Sequence, residues 1–183
     1  MKRVEFSSLQ RFCLTGVTRS RQILMISVFA LATGAFATAP LGFIVNEILA
    51  KGVVLQNIHQ AIEVTRNPDG SIEPWGAELH THGATDVYVQ HLALAPGGYS
   101  GWHTHPGILV ATVVSGSIDF YDANCEKHTV NAGEVYFENG KVHGIVNTGA
   151  VNADLEIAYL IKHNAPRRIE ADAPACAVST PIP

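Results

Sequence analysis

Charge is scarce in this 183-residue chain. Asp, Glu, Lys and Arg make up 15% of it, while apolar residues make up 47%. A charged fraction well below the usual quarter excludes a disordered or highly solvated chain. Basic residues are scarcer than acidic ones, twelve against sixteen, for a formal net charge of −4. No global positive field is available for nucleic acid to read. Gly-x-Ser-x-Gly, P-loop and dinucleotide fingerprints are all missing. Beyond residue 60 no long segment keeps a 3.6-residue period, and no solenoid-type repeat is evident. None of the three cysteines sits in a Cys-x-x-Cys or other metal spacing. Methionine is reduced to two while histidine reaches nine, a ratio that raises the question of a metal.

What charge there is lies unevenly. Lys2, Arg3, Arg11, Arg19 and Arg21 crowd the first 21 residues, and no further charged side chain follows until Glu47. Between them, Ile23 to Ala37 reads ILMISVFALATGAFA. A basic start, an apolar middle and small residues at Ala35-Phe36-Ala37 predict a secretory signal peptide over residues 1–37. Cleavage after Ala39 would leave Pro40 first, so the cut is placed after Ala37. An uncleaved membrane anchor is the rival, because the uncharged run reaches the ~20 residues that span a bilayer; a buried core segment is the third reading. Pro40 and the small residues weaken the anchor. Residues 38–183 then carry fifteen acids and seven bases, a charge of −8. That balance argues against DNA, RNA or anionic membranes as partners, and membrane contact is expected only if the segment stays uncleaved. The expected location is secreted or periplasmic, with a membrane-anchored barrel outside the cytoplasm as the alternative. Cys13 leaves with the signal. Cys125 and Cys176 remain as a pair in an oxidising compartment and are expected to be joined, two unpaired thiols being the alternative.

The rest of the chain divides into a lead-in (38–76), a strand-rich body (77–163) and a tail (164–183). In the lead-in, Glu47 to Gln60 fits a short helix or a strand equally well. Asn67-Pro68-Asp69-Gly70 is a turn. From there short apolar runs alternate with turn residues about every ten positions, among them Pro96-Gly97-Gly98, Ser115-Gly116 and Asn139-Gly140. This spacing predicts an all-β antiparallel sandwich or barrel. The tail, with Pro166, Pro174, Pro181 and Pro183, is expected to wrap the surface as coil.

Chemistry concentrates in Gly97-Gly98-Tyr99-Ser100-Gly101-Trp102-His103-Thr104-His105-Pro106-Gly107. On a strand, residues two apart share a face, so His103 and His105 point together and can reach one divalent ion. A third histidine, His143, follows the turn at Asn139-Gly140. With these residues the sequence resembles the cupin superfamily in its small single-domain type. Gly97, His103, His105 and Gly116 fall in register with the first cupin motif. Gly140, His143 and Asn147 match the second, where Glu138 occupies the proline slot and Gly133 stands one residue too close. The resemblance covers roughly residues 77–162. It implies a double-stranded β-helix jelly-roll barrel with a metal in its mouth, held by His103, His105 and His143.

One departure bears on mechanism. The motif glutamate falls on Leu109 or, with one more residue of spacing, on Val110, and neither binds metal. Three neutral imidazoles would leave a divalent ion its full charge and open positions, which suits an anionic chelating ligand. The ion is a transition metal of unassigned identity (Fe, Mn, Zn, Ni or Cu). A degenerate cupin with histidines around an empty pocket is the bland alternative. Glu138 is the better of two nearby carboxylates, Glu134 being the other, for a replacement ligand or general base; a solvated hairpin glutamate is the competing reading. His80 and His82 repeat the His-x-His spacing without the preceding glycine-rich turn and read as an exposed strand pair. Of Gln90 and His91 one must face inward, and alternation does not say which. His59, His128 and His163 read as surface residues. Two functions follow. One is a metal-dependent dioxygenase, isomerase or lyase acting on a small anionic or polyhydroxy molecule. The other is a non-catalytic module binding a small ligand or a metal. A homodimer is left open.

Overall fold

A computed structural model describes residues 38–183 apart from residue 73. The predicted signal or anchor segment, with Cys13, lies outside the described residues. Among the described residues no helix is long and apolar enough to cross a membrane.

The architecture is a barrel-like antiparallel sheet. Its strands are β1 (Leu41–Val54), β4 (Thr85–Tyr99), β6 (Gly107–Ser115), β7 (Ser117–Tyr121), β8 (Lys127–Asn131), β9 (Val135–Glu138), β10 (Gly144–Val146) and β11 (Ala153–Lys162). They run in the order β8-β7-β10-β4-β11-β6-β9, and β1 pairs along β4. Two small sheets complete the fold. One is the hairpin of β2 (His59–Val64) and β3 (Trp75–His80). The other joins β5 (His103–Thr104) to β12 (Ile169–Glu170). This is the jelly-roll arrangement that the sequence predicts.

The core follows from strand alternation. In β11 every second residue, Ala153, Leu155, Ile157, Tyr159 and Ile161, is buried, and in β6 the same holds for Leu109, Ala111 and Val113. These faces meet Leu92 and Leu94 of β4 and Ile118 of β7 in one apolar cluster. The motif glycine Gly116 turns β6 into β7 at φ +71°, where a Cβ would meet the Asn152 carbonyl oxygen at 2.4 Å. Only glycine fits that corner.

Two flanking segments are more structured than their sequences suggest. Most of the lead-in stretch that fits helix or strand is strand: β1 runs antiparallel to β4 from Leu41↔Tyr99 to Val54↔Thr85, and β2 begins at His59 after a short break. A weakly alternating pattern becomes a strand because a long partner satisfies its backbone, a contact that local propensity does not encode. The tail, expected as coil, adds β12, whose Ile169 and Glu170 pair with Thr104 and His103. A 3-10 turn follows at Ala175–Ser179. The tail also carries the fully buried Ile182, which packs with Trp102, Tyr121, Val146 and Ala177. A disulfide joins Cys125 to Cys176, Cα atoms 6.0 Å apart, so the tail is a strapped arm across one end of the barrel.

Candidate metal centre

The histidine cluster is assembled by backbone first. His103 and His143 exchange reciprocal N–H···O=C bonds of 2.9 Å each. That bridge sets their rings 4.3 Å apart, and the His105 ring, just past the end of β5, lies 4.9 Å from that of His103. All three side chains are buried, and one nitrogen from each lies within 4.8 Å of the others. Trp102 points the opposite way into the apolar cluster of the arm, as alternation requires.

Each imidazole is held in one tautomer. His103 Nδ1 lies 3.0 Å from the Gly101 carbonyl, His105 Nδ1 2.5 Å from the Arg167 carbonyl, and His143 Nδ1 2.9 Å from the Lys141 carbonyl. A carbonyl oxygen can only accept, so each Nδ1 carries the hydrogen and each Nε2 offers a bare lone pair. Burial, then the neighbouring imidazoles and Arg168, depress the His103 pKa well below the usual range. Burial above all lowers that of His105 to about 4. Both are therefore neutral at pH 7, the state that ligates metal.

Glu138 stands inside this cluster and is only 6% exposed. The solvated-hairpin reading is corrected by register. Glu138 lies directly opposite Leu109 on the β6–β9 ladder, and cross-strand partners share a face. Leu109 is buried against the cavity, as the vacant motif slot predicts, while Val110 faces the other way. The carboxylate thus enters from the neighbouring strand beside the slot that Leu109 fills. Glu138 Oε2 lies 2.6 Å from His143 Nε2 and 3.4 Å from His105 Nε2, yet this buried oxygen finds no hydrogen-bond donor. Burial above all pushes the Glu138 pKa up, against the opposing influence of the neighbouring His143 and Arg168.

This donor set fits a cation. His143 Nε2 and His103 Nε2 face each other at 3.2 Å with both hydrogens committed elsewhere, and a carboxylate oxygen faces them without a donor. Lone pairs so arranged repel unless a positive centre lies among them.

The cavity beside the cluster has a volume of about 50 Å³, room for a few water-sized centres. Several of its polar walls escape the sequence reading. Gln90 is the residue that faces inward; it donates to Asn46 Oδ1 at 2.5 Å and accepts from the Tyr159 hydroxyl at 2.6 Å. His91 turns outward, 3.4 Å from Asp154. Arg167 and Arg168 reach the cavity from the arm. The Arg-Arg pair is visible in the sequence, but nothing local links it to a site sixty residues earlier.

Other histidines are placed apart. His80 lies on exposed β3 and faces His59, ring centroids 4.8 Å apart. His82 falls in the turn after β3, so the two do not share a strand. Exposed His128 lies on β8, its ring 6.4 Å from Phe120. His163, expected as a surface residue, is half-buried and contacts the fully buried Asp86 at 2.7 Å. That partner comes from the start of β4, 77 residues away.

Residues 90–160 match the family model of the cupin domain. Comparison with curated proteins finds no match. Among solved structures, the chain is similar to an oxalate oxidase in complex with the substrate analogue glycolate. The identity is 23% and the TM-score 0.37, over 40% of this chain and 41% of that one. A polyketide cyclase from Streptomyces resistomycificus is 18% identical at a TM-score of 0.41, over 46% of this chain and 60% of that one. A protein with a double-stranded β-helix domain from Klebsiella pneumoniae is 22% identical at a TM-score of 0.39, over 64% and 85%. The chain spans about two fifths of the oxalate oxidase and three fifths of the cyclase. With the barrel, the motif histidines in one cluster and the family match, residues 90–160 form a cupin domain.

Proposed function

We propose that the protein is an exported cupin whose His103, His105 and His143 hold a divalent transition metal, with Glu138 as the carboxylate of the centre, and that it acts on a small anionic molecule. The observation that carries the reading is the locked tautomers. Three Nδ1–H groups are committed to the carbonyls of Gly101, Arg167 and Lys141, which leaves three Nε2 lone pairs to converge beside an orphaned carboxylate oxygen. A bound divalent ion would supply Lewis acidity and orient the ligand's oxygens.

The chain's own residues supply the rest. Leu109, Leu92 and Ile157 line the cavity with apolar surface and limit water. Glu138 is the one carboxylate among the cavity residues, and it is the group placed to accept a proton from a ligand there. The Cys125–Cys176 bond supports an oxidising compartment. N-terminal sequencing of the mature protein should then begin near Thr38, and an intact Met1 in soluble cytosolic material would remove export from the proposal.

The metal is tested by elemental analysis after chelation and reloading. One equivalent per chain is expected for the wild type and a small residue of that for His143→Ala. Equal metal in both would return the pocket to a plain binding cavity. Turnover separates the enzyme from the non-catalytic module: Glu138→Gln should abolish any oxygen uptake or lyase activity found against a panel of small acids.

A further inference from the structure

Two guanidinium groups line the cavity, and they differ in what they already hold. Arg168 is spent. Its Nε and Nη2 donate to Glu170 Oε1 and Oε2 at 2.5 and 2.7 Å, and Nη2 donates also to the Ser100 carbonyl at 2.8 Å. Arg167 has no carboxylate within ion-pair distance among the described residues. Only its Nη1 is engaged, with Gln90 Oε1 and, at 3.1 Å, the Tyr159 hydroxyl. Both acceptors are neutral. A half-buried cation with neutral partners has given up solvation without gaining a counter-ion. Its remaining N–H groups offer the planar fork that matches a carboxylate.

The placement is fixed from several sides. The Arg167 Cζ lies 5.2 Å from the centroid of the Tyr159 ring, and that ring lies 5.4 Å from the His105 ring. The cation is therefore one aromatic ring away from the histidine cluster. Its own carbonyl accepts from His105 Nδ1, and the next turn of the arm pairs with Thr104 and His103. The acceptor Gln90 is itself held by Asn46 and Tyr159. Such a guanidinium is preorganised, so little ordering is left to oppose binding.

We propose that Arg167 is the carboxylate-binding residue of this cavity, and that the molecule the cavity takes is a small carboxylic acid rather than a neutral polyol. A polyol would leave the cation without a counter-ion; a carboxylate supplies one. The volume of about 50 Å³ restricts the acid to a few heavy atoms. This inference rests on the metal-binding reading above and adds the substrate class and the residue that selects it.

Acetate and malonate, with acetamide and malonamide as neutral isosteres, probe it by calorimetric titration of the zinc-loaded full chain. Wild type should bind the acids and reject the amides. Arg167→Gln should keep its zinc, since the backbone carbonyl on His105 remains, and should bind the acids about 10- to 100-fold more weakly. Arg167→Lys should recover part of that loss, because a point charge replaces the fork. Equal affinity for acid and amide in the wild type would overturn the inference, as would Arg167→Gln with unchanged acid affinity. A wild type that takes up no zinc defeats the metal reading itself, and elemental analysis separates that failure from a loss of carboxylate selectivity in zinc-loaded protein.

Discussion

The chain carries two His-x-His stretches, His80-Thr81-His82 and His103-Thr104-His105, and they meet opposite fates. The second is buried at the barrel mouth, with each Nδ1 on a carbonyl and a third imidazole across a backbone bridge. The first sits at the end of an exposed hairpin. His80 is on β3, His82 is past its end, and the nearest ring is that of His59. Spacing is therefore not what makes a ligand pair. The differences are burial, acceptors that fix the outer nitrogens, and an arm laid over the second stretch.

The largest expected effect tests that contrast directly. His103→Ala should weaken metal affinity by more than about 100-fold, beyond what loss of an outer partner costs, while His80→Ala should leave metal content unchanged. Equal losses in elemental analysis would erase the distinction between the two stretches.

Removing the arm should make the inner pair behave more like the outer one. Cys125→Ser with Cys176→Ser opens a loop with a sequence separation of 51 and should cost ~3–4 kcal/mol in the chain-entropy picture. Metal affinity should fall by about tenfold as the Arg167 carbonyl loosens from His105. Denaturant titration and metal competition read the two effects separately. A stability loss with unaltered metal affinity would show that the strap and the centre are independent.

A glycine flanks each stretch, and the two should differ. Gly101 has φ +69°, and a Cβ there would meet the Thr38 carbonyl oxygen at 1.9 Å; Gly83 has φ +90° with open space around it. Gly101→Ala should cost roughly 3 kcal/mol or more, from strain and clash together, against about 1–2 kcal/mol for Gly83→Ala from backbone strain alone. Equal shifts in thermal midpoint would mean that the approach to Thr38 relaxes freely.

The smallest effect concerns His163, which has a buried carboxylate beneath it where His80 has none. The hydrogen bond from His163, aided by the Asn164 N–H and the Lys51 charge, holds the Asp86 pKa below the ordinary carboxylate range against the opposing effect of burial. Its folded pKa is depressed, so its contribution is present above the unfolded value of about 4 and is lost as pH falls below it. His163→Ala should raise the Asp86 pKa and move acid unfolding to higher pH, while His80→Ala should not. Circular dichroism along an acid titration checks the order.

Much of the centre is legible in the sequence because it depends on local geometry. Strand alternation places His103 beside His105, the Asn139-Gly140 turn delivers His143, and motif spacing assigns Leu109 to the vacant carboxylate slot. Glu138 is legible only as a candidate. Its entry depends on β9 pairing with β6 across the intervening β7–β8 hairpin, and a register shift of one residue would send it outward. Arg167 is not legible at all, since its role comes from an arm whose proline content reads as coil. The Gln90 and His91 ambiguity is of the same kind: alternation fixes their opposition, and only the packed sheet fixes the sense.

The outer bond of His105 also sets an order of events. Its acceptor, the Arg167 carbonyl, lies 62 residues further along the chain, and the disulfide that straps the arm closes only at Cys176. A polypeptide is made from its N-terminus, so His103, His105 and His143 all emerge before the residue that orients one of them. The full set of outer hydrogen bonds on the three imidazoles therefore cannot form before Arg167 has been made. A chain truncated before the arm would carry every motif histidine and still lack the orienting partner of His105.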